Sequence, residues 1–129
     1  MKYECRYNQE LNIIEIDTSG KANMSGLTDM HRSIVELCAR EISANVLIDH
    51  SKLDLSQLSM AEVKNMSDIT VFSKEIFKMR KCAHVVVKDI QFGLVRAWEI
   101  MTEIYGVIDL NMKVFKKRNE AIEWLKTSP

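Results

Sequence analysis

The sequence predicts an α/β domain, because the chain alternates between strand-like and helix-like segments in the order β-β-α-β-α-β-α-β-α. Two of the strand-like runs, 45–49 and 82–87, contain uninterrupted apolar stretches, Val46–Ile48 and Val85–Val87. Such runs are typical of strands covered on both faces. Because right-handed crossovers place helices over a sheet, we expect a mixed, mostly parallel sheet of about five strands flanked by four helices.

Composition limits both the architecture and the function. The chain has 129 residues, which suits a single domain over residues 1–129, with 47% hydrophobic and 28% charged residues. Eighteen basic and 18 acidic residues give zero net charge, which argues against a dedicated nucleic-acid binder. The first residues contain no apolar signal segment, and no apolar run approaches the roughly 18 residues of a membrane span. We therefore expect a cytoplasmic protein without a transmembrane segment.

The first half of the chain predicts a hairpin followed by a helix. Strands are expected over 3–7 and 11–17, because β-branched residues dominate the second run and a short polar segment, 8–10, separates the two. A helix is expected over 26–41, where apolar residues recur at steps of three and four. Ser25 precedes this stripe and is the predicted N-cap.

The middle of the chain predicts a central strand and a second helical region. Residues 45–49 form the strand, and a polar loop is expected over 50–58. Ser59 and Glu62 have the spacing of a capping box, in which each side chain bonds the backbone of the other. The segment 59–77 is then either one helix or two.

The last third predicts two further strand–helix pairs. A strand over 82–87 precedes a long helix over 91–105, for which Gly106 is the expected C-terminal stop. A strand over 112–115 precedes a terminal helix for which Asn119 is the predicted cap.

The ordered set of these segments resembles the STAS/SpoIIAA-like superfamily, the small α/β domains of anti-sigma-factor antagonists. It looks closer still to a small subgroup of SpoIIAA-like (STAS/SEC14) domains. The stretches that carry the resemblance are Val46–Asp49, Arg80–Val87, Phe92–Glu99, Val114–Phe115 and Glu120–Leu125. The resemblance implies a SpoIIAA-like fold and a regulatory or protein-interaction role. The subgroup's name also implies ligand binding.

One motif of the antagonists is missing. They carry a compact Asp-Ser-Ser/Thr-Gly turn after the central strand, and a serine of that turn is phosphorylated. The matching segment here, 49–59, contains serines but no glycine and no such turn. Ser51 and Ser56 stay as candidates for phosphorylation, whereas Ser59 is assigned to the helix cap.

The segment Asp49-His50-Ser51 is the strongest candidate binding site. It lies at the carboxyl end of the predicted central strand, where open α/β sheets bind ligands. It does not predict a catalytic triad, because adjacent residues of an extended chain point to opposite faces. Ser56, a few residues further on, completes this candidate set, and no catalytic residue is predicted.

The helix over 91–105 has an apolar arc wider than one face. The arc is either deeply buried, or it faces a second subunit, or it lines an apolar pocket with Trp98 and Met101. Arg96 would then supply a charge at the pocket rim. Arg96 and Trp98 are therefore candidate binding residues, and a homodimer is expected.

Cysteine and histidine give no metal or cofactor site. Cys5, Cys38 and Cys82 are widely spaced and predict buried thiols. His84 lies two residues from Cys82, so one metal could touch both side chains, but two ligands are too few for a stable zinc site. No metal, cofactor or enzymatic activity is predicted.

Two functions remain after these exclusions. The first is a non-catalytic regulatory or interaction module with a protein partner. The second is a carrier that holds a small apolar, lipid-like or anionic ligand in a pocket between helices. No assembled set of base, nucleophile and oxyanion donors can be found for an enzyme.

Overall fold

The computed structural model describes residues 1–78, 80–104 and 111–127 of the chain. It confirms the α/β class, with a five-stranded mixed sheet and five helices in the described residues. The elements are β1 (Lys2–Asn8), β2 (Ile13–Lys21), α1 (Met24–Arg40), β3 (Asn45–Asp54), α2 (Met60–Phe72), α3 (Lys74–Phe77), β4 (Lys81–Val85), α4 (Asp89–Ile104), β5 (Asn111–Phe115) and α5 (Arg118–Lys126).

The strands lie in the order β1-β2-β3-β4-β5, so the strand predicted to be central is central. β1 and β2 form the predicted antiparallel hairpin, and each later strand pairs in parallel with its predecessor. The segment 59–77 forms two helices, α2 and α3, so the described part of the chain has five helices where four were expected.

Alternation along the strands divides the core into two layers. Ile14, Ile16, Val46 and Ile48 face the larger core, which contains residues of α1, α3 and α4. Ile13, Leu47, Ala83 and Val85 face the opposite side, where Ala121 and Leu125 of α5 cover them. Successive side chains of each strand therefore enter different environments.

The predicted loop over 50–58 is largely wrong, because β3 continues to Asp54. β2 also extends further than predicted, to Lys21, and pairs Ser19, Gly20 and Lys21 with Lys52, Leu53 and Asp54. Pairing with the long strand β2 satisfies the backbone hydrogen-bonding groups of residues 52–54, although their polar composition indicates a loop. The connection between β3 and α2 shrinks to 55–59.

Two predicted helix caps are also wrong. α1 begins at Met24, and the Asn23 side chain caps it by accepting a hydrogen bond from the Gly26 backbone at 2.7 Å, so Ser25 lies inside the first turn. α5 begins at Arg118 with Lys117 at the cap position, which places Asn119 inside the helix.

The capping box of α2 is confirmed. The Glu62 backbone donates to Ser59 Oγ at 3.1 Å, and the Ser59 backbone donates to Glu62 Oε1 at 3.0 Å. The predicted stop at Gly106 lies outside the described residues. None of the helices in the described ranges is both long enough and apolar enough to span a bilayer.

Candidate functional site

A cavity of about 80 Å³ lies between the sheet and the helices α1 to α4. Four helices (α1 to α4), three strands (β3 to β5) and the loop 55–59 each contribute apolar side chains to it, and none of the described residues that line it is an Asp, Glu, Lys or Arg. Representative lining residues are Leu27, Ile48, Val63, Phe77, Val95 and Met112. An apolar, concave space with few polar groups is the usual form of a small-molecule site.

All three histidines of the sequence line this cavity, although they are far apart in the chain. His31 comes from α1, His50 from β3 and His84 from β4. Burial lowers the pKa of His31, lowers that of His50 to about 4, and lowers that of His84 to about 3. The three rings are therefore uncharged at neutral pH and add polar atoms without adding positive charge.

One ring nitrogen of His31 and one ring nitrogen of His50 each lie within hydrogen-bond distance of a hydroxyl group. His31 Nε2 lies 3.0 Å from Ser73 Oγ. His50 Nδ1 lies 2.7 Å from Thr18 Oγ1, and that hydroxyl donates to the Asp49 carbonyl. Thr18 can thus accept the Nδ1 proton of His50, which leaves Nε2 of His50 as a hydrogen-bond acceptor.

His84 has a buried nitrogen that no described residue satisfies. Its Nε2 lies 3.6 Å from Cys82 Sγ, whereas Nδ1 has no hydrogen-bond partner in residues 1–78, 80–104 and 111–127. Burial raises the pKa of the Cys82 thiol, so it stays protonated and can donate to Nε2. Nδ1 then carries the ring proton and is free to donate to a ligand. An unsatisfied buried donor is costly, which favours a ligand oxygen at this position.

Trp98 lies beside this histidine, while Arg96 does not reach the cavity. The rings of Trp98 and His84 meet edge to face with centroids 4.6 Å apart, and Trp98 lines the cavity. Arg96 is half-exposed on α4 and forms an ion pair with Glu99. Met101, the other residue expected at a pocket, is not among the lining residues.

The segment Asp49-His50-Ser51 is split between the two faces of the sheet, as its extended backbone predicts. The His50 ring enters the cavity, whereas Asp49 points to the α5 side and binds Arg118, with Nη1 and Oδ2 2.8 Å apart. The Ser51 backbone donates to Asp49 Oδ1 at 2.9 Å. Ser51 lines a separate surface pocket with Lys52 and Arg118, away from the cavity.

Arg118 is the centre of a charge cluster that sequence reasoning missed. It binds Glu15 at 3.0 Å and Asp17 at 2.9 Å in addition to Asp49. Burial alone would lower the pKa of Arg118, but its hydrogen bonds with Asp49 and Asp17 raise it. The signal available in the sequence was the pair of acids at alternate positions of an otherwise apolar strand. These ion pairs connect the start of α5 to strands β2 and β3.

Metal ligation is not supported by the described part of the chain. It contains no group of three or more His, Cys, Asp or Glu side chains arranged to hold an ion. Cys82 Sγ and His84 Nε2, the pair considered from the sequence, lie 3.6 Å apart, and the rings of His50 and His84 have centroids 6.0 Å apart.

The comparison with solved structures identifies the architecture. The chain is similar to a structure from Shewanella loihica PV-4, described as an uncharacterized protein from the DUF3478 family with a SpoIIAA-like fold. The match has a TM-score of 0.62 and 17% sequence identity, and covers 96% of this chain and 92% of that chain. This chain has a SpoIIAA-like fold. No protein-family model matches the sequence, and no curated protein matches it.

Within this SpoIIAA-like fold, the short loop 55–59 occupies the connection between the central strand and the next helix. Ser56 lies there, exposed, and its backbone donates to Asp54 Oδ1 at 2.9 Å. Of the two candidate serines, Ser56 is the more exposed one, while Ser51 is half-buried; Ser59 is also exposed but caps α2.

Proposed function

We propose that this protein binds a small, uncharged and mainly apolar ligand in the cavity between the sheet and α1 to α4. The observation that carries the proposal is an apolar lining that contains three neutral histidines and a buried, unsatisfied nitrogen on His84. Of the two functions predicted from the sequence, this geometry favours the ligand carrier over the interaction module.

The chemistry of the lining selects an uncharged ligand over an anionic one. Moving a carboxylate from water into an apolar site is strongly unfavourable unless a cation pairs with it. His50 and His84 have pKa values of about 4 and about 3, so neither supplies that cation near pH 7. A hydroxyl or carbonyl group can instead accept from His84 Nδ1, and a hydroxyl can also donate to His50 Nε2.

The cavity size selects a small ligand. Its volume of about 80 Å³ is roughly half of the ~150 Å³ that accommodates benzene in an engineered protein cavity. A ring-sized ligand therefore requires the lining to adjust. Met30, Met66 and Met112 line the cavity, and their unbranched side chains can change rotamer at low cost.

Tryptophan fluorescence provides a direct test with three cyclohexyl probes. Trp98 is the reporter, and Trp124→Phe removes the other tryptophan, which packs against Phe115 on the α5 side. Cyclohexanol should change Trp98 fluorescence saturably, and methylcyclohexane should bind more weakly. Cyclohexanecarboxylate should give no saturable change at pH 7. Absence of saturable binding by every probe would contradict the proposal.

The interaction module is the second candidate, and the position of Ser56 favours it. Ser56 is exposed in the loop after the central strand, where the anti-sigma-factor antagonists that this sequence resembles carry their phosphorylated serine. Phosphopeptide mass spectrometry of the protein isolated from its own cells tests this role. Phosphate on Ser56 or Ser51 supports a switch that acts on a protein partner, and unmodified peptides at both positions count against it. The three free thiols are in keeping with action in the reducing cytoplasm.

A further inference from the structure

The free edge of the sheet at β1 carries a regular pattern of side chains. β1 is the first strand of the sheet order, and no described strand pairs with its outer side. Its backbone there offers N–H and C=O groups to another strand. Charged residues face the α5 side and aromatic residues face α1, with Cys5 at the centre of the strand: Lys2, Tyr3, Glu4, Cys5, Arg6 and Tyr7.

We propose that two copies of this chain pair antiparallel through β1, with a two-fold axis at Cys5. The strand runs from Lys2 to Asn8, so this register overlaps its full length. It places Glu4 opposite Arg6 of the second copy and Tyr3 opposite Tyr7 of the second copy, each twice. Opposite charges and aromatic pairs stabilise facing positions of antiparallel strands.

The charge pattern selects this register over its neighbours. Side chains keep their faces only if one copy slides by two residues at a time. Sliding by two in one direction places Glu4 opposite Glu4 of the second copy. Sliding in the other direction places Arg6 opposite Arg6 of the second copy. Both alternatives bring like charges together, which destabilises facing strands.

The surroundings of Glu4 are a second, independent argument for pairing with another copy of the chain. Within one copy it lies directly opposite Asp17 of β2, so two like charges face each other. In the described residues no cationic side chain lies within ion-pair distance of Glu4. Arg6 is half-exposed and already binds Asp17 at 2.6 Å. Arg6 of the second copy would bring the missing cation to Glu4.

This interface differs from the one that the sequence favoured. The apolar arc of α4 is largely used within the fold, because Val95 is buried and Phe92, Leu94 and Trp98 pack against the larger core. Among the described residues of the predicted arc, Ile100 is the one that remains substantially exposed. The β1 edge, by contrast, is left unpaired by the described strands along its whole length, and its alternating charges favour one register with a second copy of β1.

Sedimentation equilibrium of the full chain tests the dimer. The wild type should self-associate reversibly, and Glu4→Lys should weaken association by roughly tenfold or more, because two ion pairs become two like-charge pairs. The matched control is Glu10→Lys, an exposed glutamate in the turn beyond β1, which should leave association unchanged. Equal Tm values for the monomeric proteins would show that neither change damages the fold.

Copper-catalysed disulfide formation tests the register. Cys38 and Cys82 are buried, so Cys5 is the thiol that can react. Burial raises the pKa of Cys5 to about 11, which slows the reaction, and Glu4→Lys is the control because it keeps the same thiol. The wild type should form a Cys5–Cys5 dimer faster than Glu4→Lys. Moving the thiol with Tyr3→Cys and Cys5→Ser should slow cross-linking, because position 3 then faces Tyr7.

Two outcomes would overturn the proposal. One is a wild-type protein that stays a 14.9 kDa monomer at every concentration. The other is a dimer that is insensitive to Glu4→Lys and does not cross-link through Cys5, since such a dimer would use a different surface.

Discussion

His50 and His84 stack on neighbouring strands, with ring centroids 6.0 Å apart and planes inclined by 26°. Both rings line a cavity without a charged lining residue in the described chain. Because burial keeps both rings neutral, each ring has one nitrogen that donates a hydrogen bond and one that accepts. The pair links two properties of the protein, its stability at low pH and the kind of ligand that the cavity accepts.

Stability should fall as pH drops from about 6.5 toward 4. The ordinary pKa of histidine is 6.5, whereas that of folded His50 is about 4 and that of His84 about 3. In this range the unfolded chain binds more protons than the folded one, so acid favours unfolding. By pH 4, each of these two rings should lower the free energy of unfolding by roughly 3 kcal/mol, because one pH unit corresponds to about 1.36 kcal/mol for each proton taken up on unfolding. Urea midpoints measured from pH 7.5 to 4.5 test this.

The matched variant for this pH dependence is His84→Phe. It removes one titrating ring from the cavity, so the pH slope of its unfolding free energy between 6.5 and 4.5 should be clearly smaller than that of the wild type, while His31 and His50 keep contributing. The lowered pKa values of Asp17 and Asp49 act below this window and do not interfere. Urea midpoints that are independent of pH in this range would refute neutral burial of the rings.

Arg118→Met should destabilise the fold by about 2 to 3 kcal/mol. The change leaves the buried Asp49 without its cation. Glu15 and Asp17 still pair with Arg6, and the partial exposure of Arg118 also limits the cost. Urea unfolding at pH 7 provides the measurement. The deficit should shrink as pH falls through the carboxyl pKa values, because protonated acids no longer need the cation.

The control for this substitution is Arg32→Met. Arg32 and its partner Asp29 are both largely exposed and 3.5 Å apart, so the loss should be below about 1 kcal/mol. If both arginine variants cost the same, the Arg118 cluster is no more important than a surface ion pair.

His84→Leu should change which probe the cavity prefers. Loss of the Nδ1 donor should weaken cyclohexanol binding by roughly tenfold, the worth of one hydrogen bond, and leave methylcyclohexane binding nearly unchanged. Thr70→Val is the matched control, since Thr70 also lines the cavity but its hydroxyl already donates to the Met66 carbonyl at 2.9 Å. Equal losses in both variants would mean that His84 does not contact the ligand.

Ser59→Ala should cost about 0.5 to 2 kcal/mol, because it removes the N-cap of α2. Ser56→Ala should cost less than about 0.5 kcal/mol, because Ser56 is exposed and its hydrogen bond to Asp54 uses the backbone N–H. Thermal unfolding compares the two. If Ser59→Ala leaves stability unchanged but abolishes a partner interaction, the assignment of Ser59 to the cap is wrong.

The sequence by itself determined the order of strands and helices, the central position of β3 and the capping box of α2. These features follow from signals contained in a few neighbouring residues: hydrophobic periodicity, β-branched runs and side chains at capping distance. Local signals fail where two nearby residues are equally suited to cap a helix, as Asn23 and Ser25 are for α1. They also fail where a distant strand decides, as β2 does for residues 52–54.

Only the tertiary structure decided the cavity, the Arg118 cluster and the partner of each histidine. His31, His50 and His84 share one space because strand alternation and helix packing turn each of them toward the same face. Arg118 meets Glu15 across 103 positions of sequence. No short-range pattern encodes such contacts, because they depend on which strands become neighbours and on the side of the sheet that each residue occupies.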